Sequence, residues 1–260
     1  TIKTVAALGG QAVLFANVGA DSHGESYIEA IELHGVTSRI RTQPLVTGHA
    51  LTFITPDAER TFSVHLGAAL SLGKDDLEEA DIAASKVLYL EAFQLEGPTK
   101  ETVLHAILLA KKHATKVALD LNDAALIERN FDFFHQIVAD HVDIVFANEL
   151  EAKAFTGKEE DRALAELAKD TEIAILKLGE QGSRIAYQGE THSIPAESAE
   201  VIDTTGAGDT YAAGFLYGLT HGLSVAEAGK LGSQLAARVI EVVGVEVREI
   251  VSNLDQATDR

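Results

Sequence analysis

The sequence contains no cysteine, no methionine and no tryptophan among its 260 residues. Without cysteine it has no disulfide framework and no thiolate metal centre, a composition compatible with the cytoplasm. A chain of this length ordinarily carries a handful of methionines and begins with one. The expectation is that the sequence is not the whole gene product: either an N-terminal part lies outside it, or certain residues are missing from within it, in which case some neighbours are not true neighbours. Positive charge is scarce: 21 Lys and Arg stand against 40 Asp and Glu, a formal net charge of −19. Such a chain does not neutralise a phosphate backbone, which excludes nucleic acid as a partner. No run approaches the roughly 18 apolar residues of a membrane span, and no secretory signal opens the chain. Two phosphate motifs are missing as well. GxxxxGK[ST] does not occur, and Gly206-x-Gly208 lacks both the later glycine of a dinucleotide fingerprint and its strand-first context. The 10 histidines show no metal-binding spacing.

What is present centres on Val201-Ile202-Asp203-Thr204-Thr205-Gly206-Ala207-Gly208-Asp209-Thr210. The pattern predicts a strand end, a glycine turn and a helix whose body is the apolar run Tyr211–Leu219. Gly206 and Gly208 remove side chains that would keep an anion from the backbone, and the helix start offers free N–H groups and the positive end of its dipole. Asp209 falls in the first turn. A carboxylate beside an anion site suits a reaction in which a hydroxyl loses a proton while negative charge develops on a transferred group. The plain alternative is a capped helix start.

Read in order, residues 1–8 end a helix at Gly9-Gly10, a strand follows over 12–18, and Ser22 is placed to cap the next helix, which ends near Gly35. Residues 36–67 alternate around 45–54 and 61–66, with Thr55-Pro56-Asp57-Ala58-Glu59 as the turn of a hairpin. From residue 75 onward strands and helices alternate: strands at 86–91, 116–121, 142–147 and 172–178, and helices at 99–113, between 123 and 140, from about 148, and at 161–169. That rhythm predicts a parallel sheet covered on both faces, with ligands at the carboxyl ends of its strands. Three such ends carry polar residues. Asn148 and Glu151 have the spacing of a helix-capping box. The loop Lys177-Leu178-Gly179-Glu180-Gln181-Gly182 reads as a hairpin turn or as a loop open to a ligand. Asp120-Leu121-Asn122 reads as a strand-to-helix cap or as cleft-lining side chains.

The string Asp203-Thr204-Thr205-Gly206-Ala207-Gly208-Asp209-Thr210 with its small-residue helix resembles the C-terminal signature of the ribokinase-like (PfkB) family of sugar and nucleoside kinases. Gly9 and Gly19 are similar in spacing to the end of that family's N-terminal signature, and Thr47-Gly48 with Glu59-Arg60-Thr61 resembles its β-lid. The resemblance implies an α/β fold, a mostly parallel sheet with helices on both faces, over 1–35 and 68–260, with a small lid over 36–67 that closes on substrate and pairs two subunits. It also implies ATP-dependent phosphorylation of a small sugar, with Asp209 as base and substrate contact and the N–H groups of Gly206, Ala207 and Gly208 around the transferred group. Asn148, Lys177, Gly179, Gly182, Thr204 and Ser233 would contact nucleotide, although Lys177 stands where relatives often have Thr. Glu151 would hold Mg²⁺ through water, and Asp203 and Thr205, near Gly244, would hold a monovalent cation such as K⁺. A nucleoside acceptor and a non-catalytic binding relative are the alternatives.

Overall fold

The computed structural model describes residues 1–54, 60–245, 247 and 251. The chain opens with α1 (Ile2–Ala7), β1 (Val13–Gly19), α2 (Ser22–Leu33) and β2 (Thr37–Gln43). β2 pairs in parallel with β1, and Ile31 of α2 is buried beside Ala12 and Val36. The segment expected as a lid therefore divides, because 37–43 joins β1 while β3 (His49–Ile54) and β4 (Arg60–His65) form an antiparallel hairpin of their own. Residues 45–48 precede the hairpin rather than belonging to its first strand. The expected turn at 55–59 lies outside the described residues, as do the side chains of Arg60, Thr61 and Phe62. The cap of α2 also differs: Asp21, not Ser22, accepts the hydrogen bond from Gly24 N–H.

The body follows as α3 (Glu79–Ala84), β5 (Val87–Glu91), α4 (Lys100–Lys112), β6 (Lys116–Asp120), α5 (Ala124–Arg129), α6 (Phe131–His141), β7 (Ile144–Asn148), α7 (Glu149–Thr156), α8 (Glu160–Leu167) and β8 (Ile173–Lys177). It is completed by β9 (Ser183–Tyr187), β10 (Glu190–Ile194), α9 (Ala207–Thr220) and α10 (Val225–Val239). Strands β5 to β8 lie side by side in chain order and parallel; β9 and β10 continue the sheet antiparallel. The two antiparallel strands depart from the expected rhythm of alternating strand and helix. Val201 and Ile202, expected to end a strand, are instead exposed and outside any strand, so α9 is entered from a loop.

The sheet is buried on both sides, and β7 shows how. Val145 and Ala147 point to a core built with Ile107 of α4, Leu126 of α5, Phe134 of α6 and Phe155 of α7. Ile144 and Phe146 point the other way, to Tyr211 and Phe215 of α9 and Val225 and Ala228 of α10. The helices thus fix the sheet from both faces, and burying each such large side chain contributes roughly 1.5–3 kcal/mol. All four parallel strands end on the same edge of this three-layer body, where Glu91, Asp120, Asn148 and Lys177 terminate them.

Candidate active site

Gly206 precedes α9 with φ +80°, and a Cβ there would meet Val245 Cγ2 at 2.7 Å. Only glycine enters the helix on this path. The first bond across the helix start runs from Thr210 N–H to Gly206 O, 2.8 Å, so the N–H groups of Gly208 and Asp209 precede the ladder and point out of the helix end. Ala207 N–H turns back to Thr204 O at 3.3 Å, which folds Thr204 under the turn. Asp203 accepts from Thr205 N–H at 2.8 Å and from Gly244 N–H at 3.1 Å, tying this turn to the loop after α10.

Asp209 is 47% exposed at the side chain, and its Oδ1 accepts a hydrogen bond of 2.6 Å from the hydroxyl of Thr1. The same hydroxyl lies 3.4 Å from the phenol of Tyr89, which burial and the nearby carboxylates hold well above the usual tyrosine range. Two residues further along β5 stands Glu91. Burial first, and then the charge of Asp209, push its carboxyl above the usual range, while Lys177 pulls it part of the way back.

Lys177 ends β8, and its ammonium lies 2.8 and 3.1 Å from the two oxygens of Asp120 at the end of β6. The same nitrogen would be 3.3 Å from a Cβ on Gly208, which brings β8 against the start of α9. Asp120 does not cap a helix, because Asp123 takes that role with Leu126 N–H. Asn122 instead accepts from Ala92 N–H at 3.0 Å. Asn148 and Glu151 form the capping box: Asn148 Oδ1 accepts from Glu151 N–H, and both Glu151 oxygens accept from Asn148, at 2.8 Å from its N–H and 2.6 Å from Nδ2. Glu151 is 4% exposed; burial raises its carboxyl, and Lys177 opposes that rise.

The loop after β8 turns through Gly179 at φ +56° with open space at its Cβ position, and returns at Gly182, where a Cβ would overlap Ile194 O at 2.0 Å. It is therefore the hairpin turn into β9, with one glycine facing open space. Ser233 is buried and donates to Pro195 O at 2.9 Å, so its hydroxyl braces α10 against the loop after β10.

Asp209, Lys177, Gly208, Asn148 and Glu151 therefore lie together along one sheet edge, and Asp203, Thr204 and Thr205 lie just before it. Ser233 stands behind this row, bonded to the backbone. Sequence reasoning passed over Tyr89 and Glu91, and the rule that found the other residues, polar side chains at strand ends, would have found Glu91. A hollow of about 840 Å³ lies at the opposite edge, among Ser85, Lys116, Glu172 and Thr220. It shares none of these groups.

A family model, the pfkB family carbohydrate kinase, matches residues 1–249. The chain belongs to the pfkB family of carbohydrate kinases. It is a phosphotransferase whose acceptor is a sugar hydroxyl and whose phosphoryl donor is ATP. Its relatives include the 5-dehydro-2-deoxygluconokinase of Lacticaseibacillus casei, 32% identical over 228 residues, 82% of this chain and 69% of the relative. Among solved structures, an adenosine kinase from Sinorhizobium meliloti is 36% identical, with a TM-score of 0.89 over 97% of this chain and 80% of that one. A probable sugar kinase from Rhizobium etli CFN 42 is 34% identical, with a TM-score of 0.90 over 98% and 80%. The ribokinase-like architecture expected from the glycine turn and the strand rhythm is thus the observed one.

Proposed function

We propose that Asp209 is the general base of this pfkB-type kinase and that the start of α9 holds the transferred phosphoryl group. The observation that carries this reading is the bond between Asp209 and a hydroxyl, 2.6 Å long, at a helix start whose N–H groups are directed outward. An acceptor alcohol needs the same relation to the carboxylate. Asp209 takes its proton, the alcohol oxygen bonds to the γ-phosphorus of ATP, and the bond from that phosphorus to the β–γ bridging oxygen breaks. The products are a phosphate ester and ADP, and the proton leaves through Asp209. The N–H groups of Gly208 and Asp209, which precede the helical ladder, meet the charge that develops on the transferred group, whereas Ala207 N–H, expected to join them, bonds Thr204 O. Nucleotide contacts fall to Asn148, Lys177, Thr204 and the loop from Gly179 to Gly182, with Ser233 shaping the wall near α10.

Glu151 is a hard oxygen donor just past the end of β7, which fits an ion held mostly by phosphate and water. Among the described residues no group of three or more His, Asp or Glu forms a protein-only metal cage. Glu151, with both oxygens bonded to Asn148, would meet Mg²⁺ through a water. A bound Mg²⁺ offsets the charge of the phosphates. Asp203 and Thr205, tied by hydrogen bonds to each other and to the Gly244 loop, are assigned to a monovalent-cation site, and K⁺ in place of choline should then raise turnover. ATP as donor puts the reaction in the cytoplasm.

The test of the base is Asp209→Asn. ATP binding, read as a rise in Tm, persists while kcat falls about 10²–10⁴-fold; a near-normal kcat removes Asp209 from the role. A nucleoside acceptor is the second reading, favoured by the 36% identity to the Sinorhizobium meliloti adenosine kinase. A panel of sugars, sugar acids and nucleosides with Mg·ATP separates the two. A Tm shift with one compound and no product from any would favour a binding relative instead.

Assembly follows from β3 and β4. Leu51 and Phe53 share one face of this hairpin, Ala50 and Val64 lie on the other, and Leu51, Phe53 and Val64 are all more than half exposed. A two-stranded sheet with apolar side chains on both faces is marginal alone. We assign one face to covering substrate and the other to a second subunit.

A further inference from the structure

The placement of Lys177 is electrostatically odd for a folded chain considered without a ligand. A cation is favourable at the carboxyl end of a helix and unfavourable at its amino end, where the dipole is already positive. Yet the Lys177 ammonium sits against Gly208, in the first turn of α9, at 17% exposure. Its counter-charge, Asp120, is only 3% exposed at the side chain and bonds it through both oxygens, at 2.8 and 3.1 Å. A pair buried to this depth stabilises a fold little, because desolvation offsets most of the attraction. The arrangement becomes favourable when a multiply charged anion lies over the helix start, since the ammonium and the dipole then act on it together.

We propose that Asp120 is a positioning residue which holds the Lys177 ammonium over the start of α9, where it binds the phosphoryl group in flight. This rests on the kinase reading and adds a role for Asp120 that capping does not explain, since Asp123 already caps α5. Lys177 also faces Glu91 and Glu151, and without the Asp120 clamp the ammonium would be drawn to either carboxylate and away from Gly208. Asp120 thus acts by direction. Its effect on the reaction passes through Lys177, which both of its oxygens hold, while one of them also accepts from Asn122 N–H at 3.4 Å.

The experiment is a double-mutant cycle on the full chain with Lys177→Met, Asp120→Asn and the pair, measuring kcat, KM for ATP and Tm. Lys177→Met is expected to lower kcat by about 10²-fold or more. Asp120→Asn is expected to lower it between about 10- and 100-fold through misplacement of the ammonium. The pair is expected to be no slower than Lys177→Met alone, because Asp120 has nothing left to direct. Lys177→Arg, which keeps a cation, should recover part of the rate. Equal kcat in Lys177→Met and wild type would overturn the proposal while leaving the kinase reading intact. So would losses that multiply in the pair, which mark Asp120 as acting independently. Variants that lose their melting transition are replaced by Asp120→Ser and Lys177→Gln, read in the same cycle. If wild-type protein shows no ATP-dependent product with any acceptor, the kinase reading falls, and this inference falls with it.

Discussion

Asp21 accepts three hydrogen bonds in a single turn, two from Thr47, through its hydroxyl at 2.6 Å and its N–H at 2.8 Å, and one from Gly24 N–H at 2.9 Å. The Thr47 bonds, hydroxyl first, hold its carboxyl down at about 2, against an ordinary value of 3.8. A depressed carboxyl favours folding fully above its unfolded value, and the benefit disappears as pH falls through the folded one. Tm is therefore expected to fall between about pH 4 and pH 2, with Asp21→Asn less stable than wild type at pH 7 and less sensitive to acid across that window. A variant with the full wild-type acid slope would show that the bonds to Thr47 do not govern it. Glu91 has the opposite sign. Burial, and then Asp209, raise its carboxyl above the ordinary glutamate range, so through that range the folded chain binds more protons than the unfolded one and stability declines as pH rises. Glu91→Gln should remove this decline, seen as a smaller Tm difference between pH 4.5 and pH 7. At this scale the sequence was readable where neighbours decide the geometry. Asn148 and Glu151, three residues apart, announced their capping box. Lys177 and Asp120, 57 residues apart, did not announce their pairing, because only the sheet brings them together.

The elements divide in the same way. Four parallel strands and their helices were legible because each is a long apolar run with a polar cap. Strands β9 and β10 were missed because short strands such as Ser183–Tyr187 and Glu190–Ile194 mix polar and apolar residues and carry little hydrophobic signal. Val201 and Ile202 failed in the opposite direction: β-branched and apolar, they look like a strand, but among the described residues no strand pairs with them. Two glycines offer a contrast to measure. Gly179→Ala meets no atom within 4 Å, so its penalty is that of the left-handed backbone, about 1 kcal/mol. Gly206→Ala adds an overlap with the Val245 side chain to the same backbone penalty, and its relief requires Val245 or the start of α9 to shift. The expected outcome is a Tm drop of about 2–4 °C for Gly179→Ala, a larger one for Gly206→Ala, and a loss of kcat in Gly206→Ala well beyond the loss in stability. A kcat for Gly206→Ala equal to that of wild type would remove the α9 turn from the chemistry.

At the scale of the molecule, the proposed assembly rests on the hairpin of β3 and β4. Replacing Leu51 and Phe53 with Glu should leave Tm of the body near wild type and shift the protein to monomer in sedimentation. A wild-type protein that is already monomeric at micromolar concentration would end the shared-lid reading. The body itself was legible as a whole from the rhythm of its elements, whereas the split of 36–67 between β2 and the hairpin was not. Pairing between distant strands leaves no mark on either one.

The sheet also has two ends with different uses. The strands β5 to β8 bring their carboxyl ends to the reacting groups, so the reversal of β9 carries the turn at Gln188-Gly189 to the far edge, beside Ile173 rather than Lys177. A strand of five residues spans about 17 Å, and that turn is exposed, with its glycine open on all sides. It is therefore a natural attachment point for a dye, a tether or an inserted reporter domain, placed where a label can follow the enzyme at work without touching the chemistry.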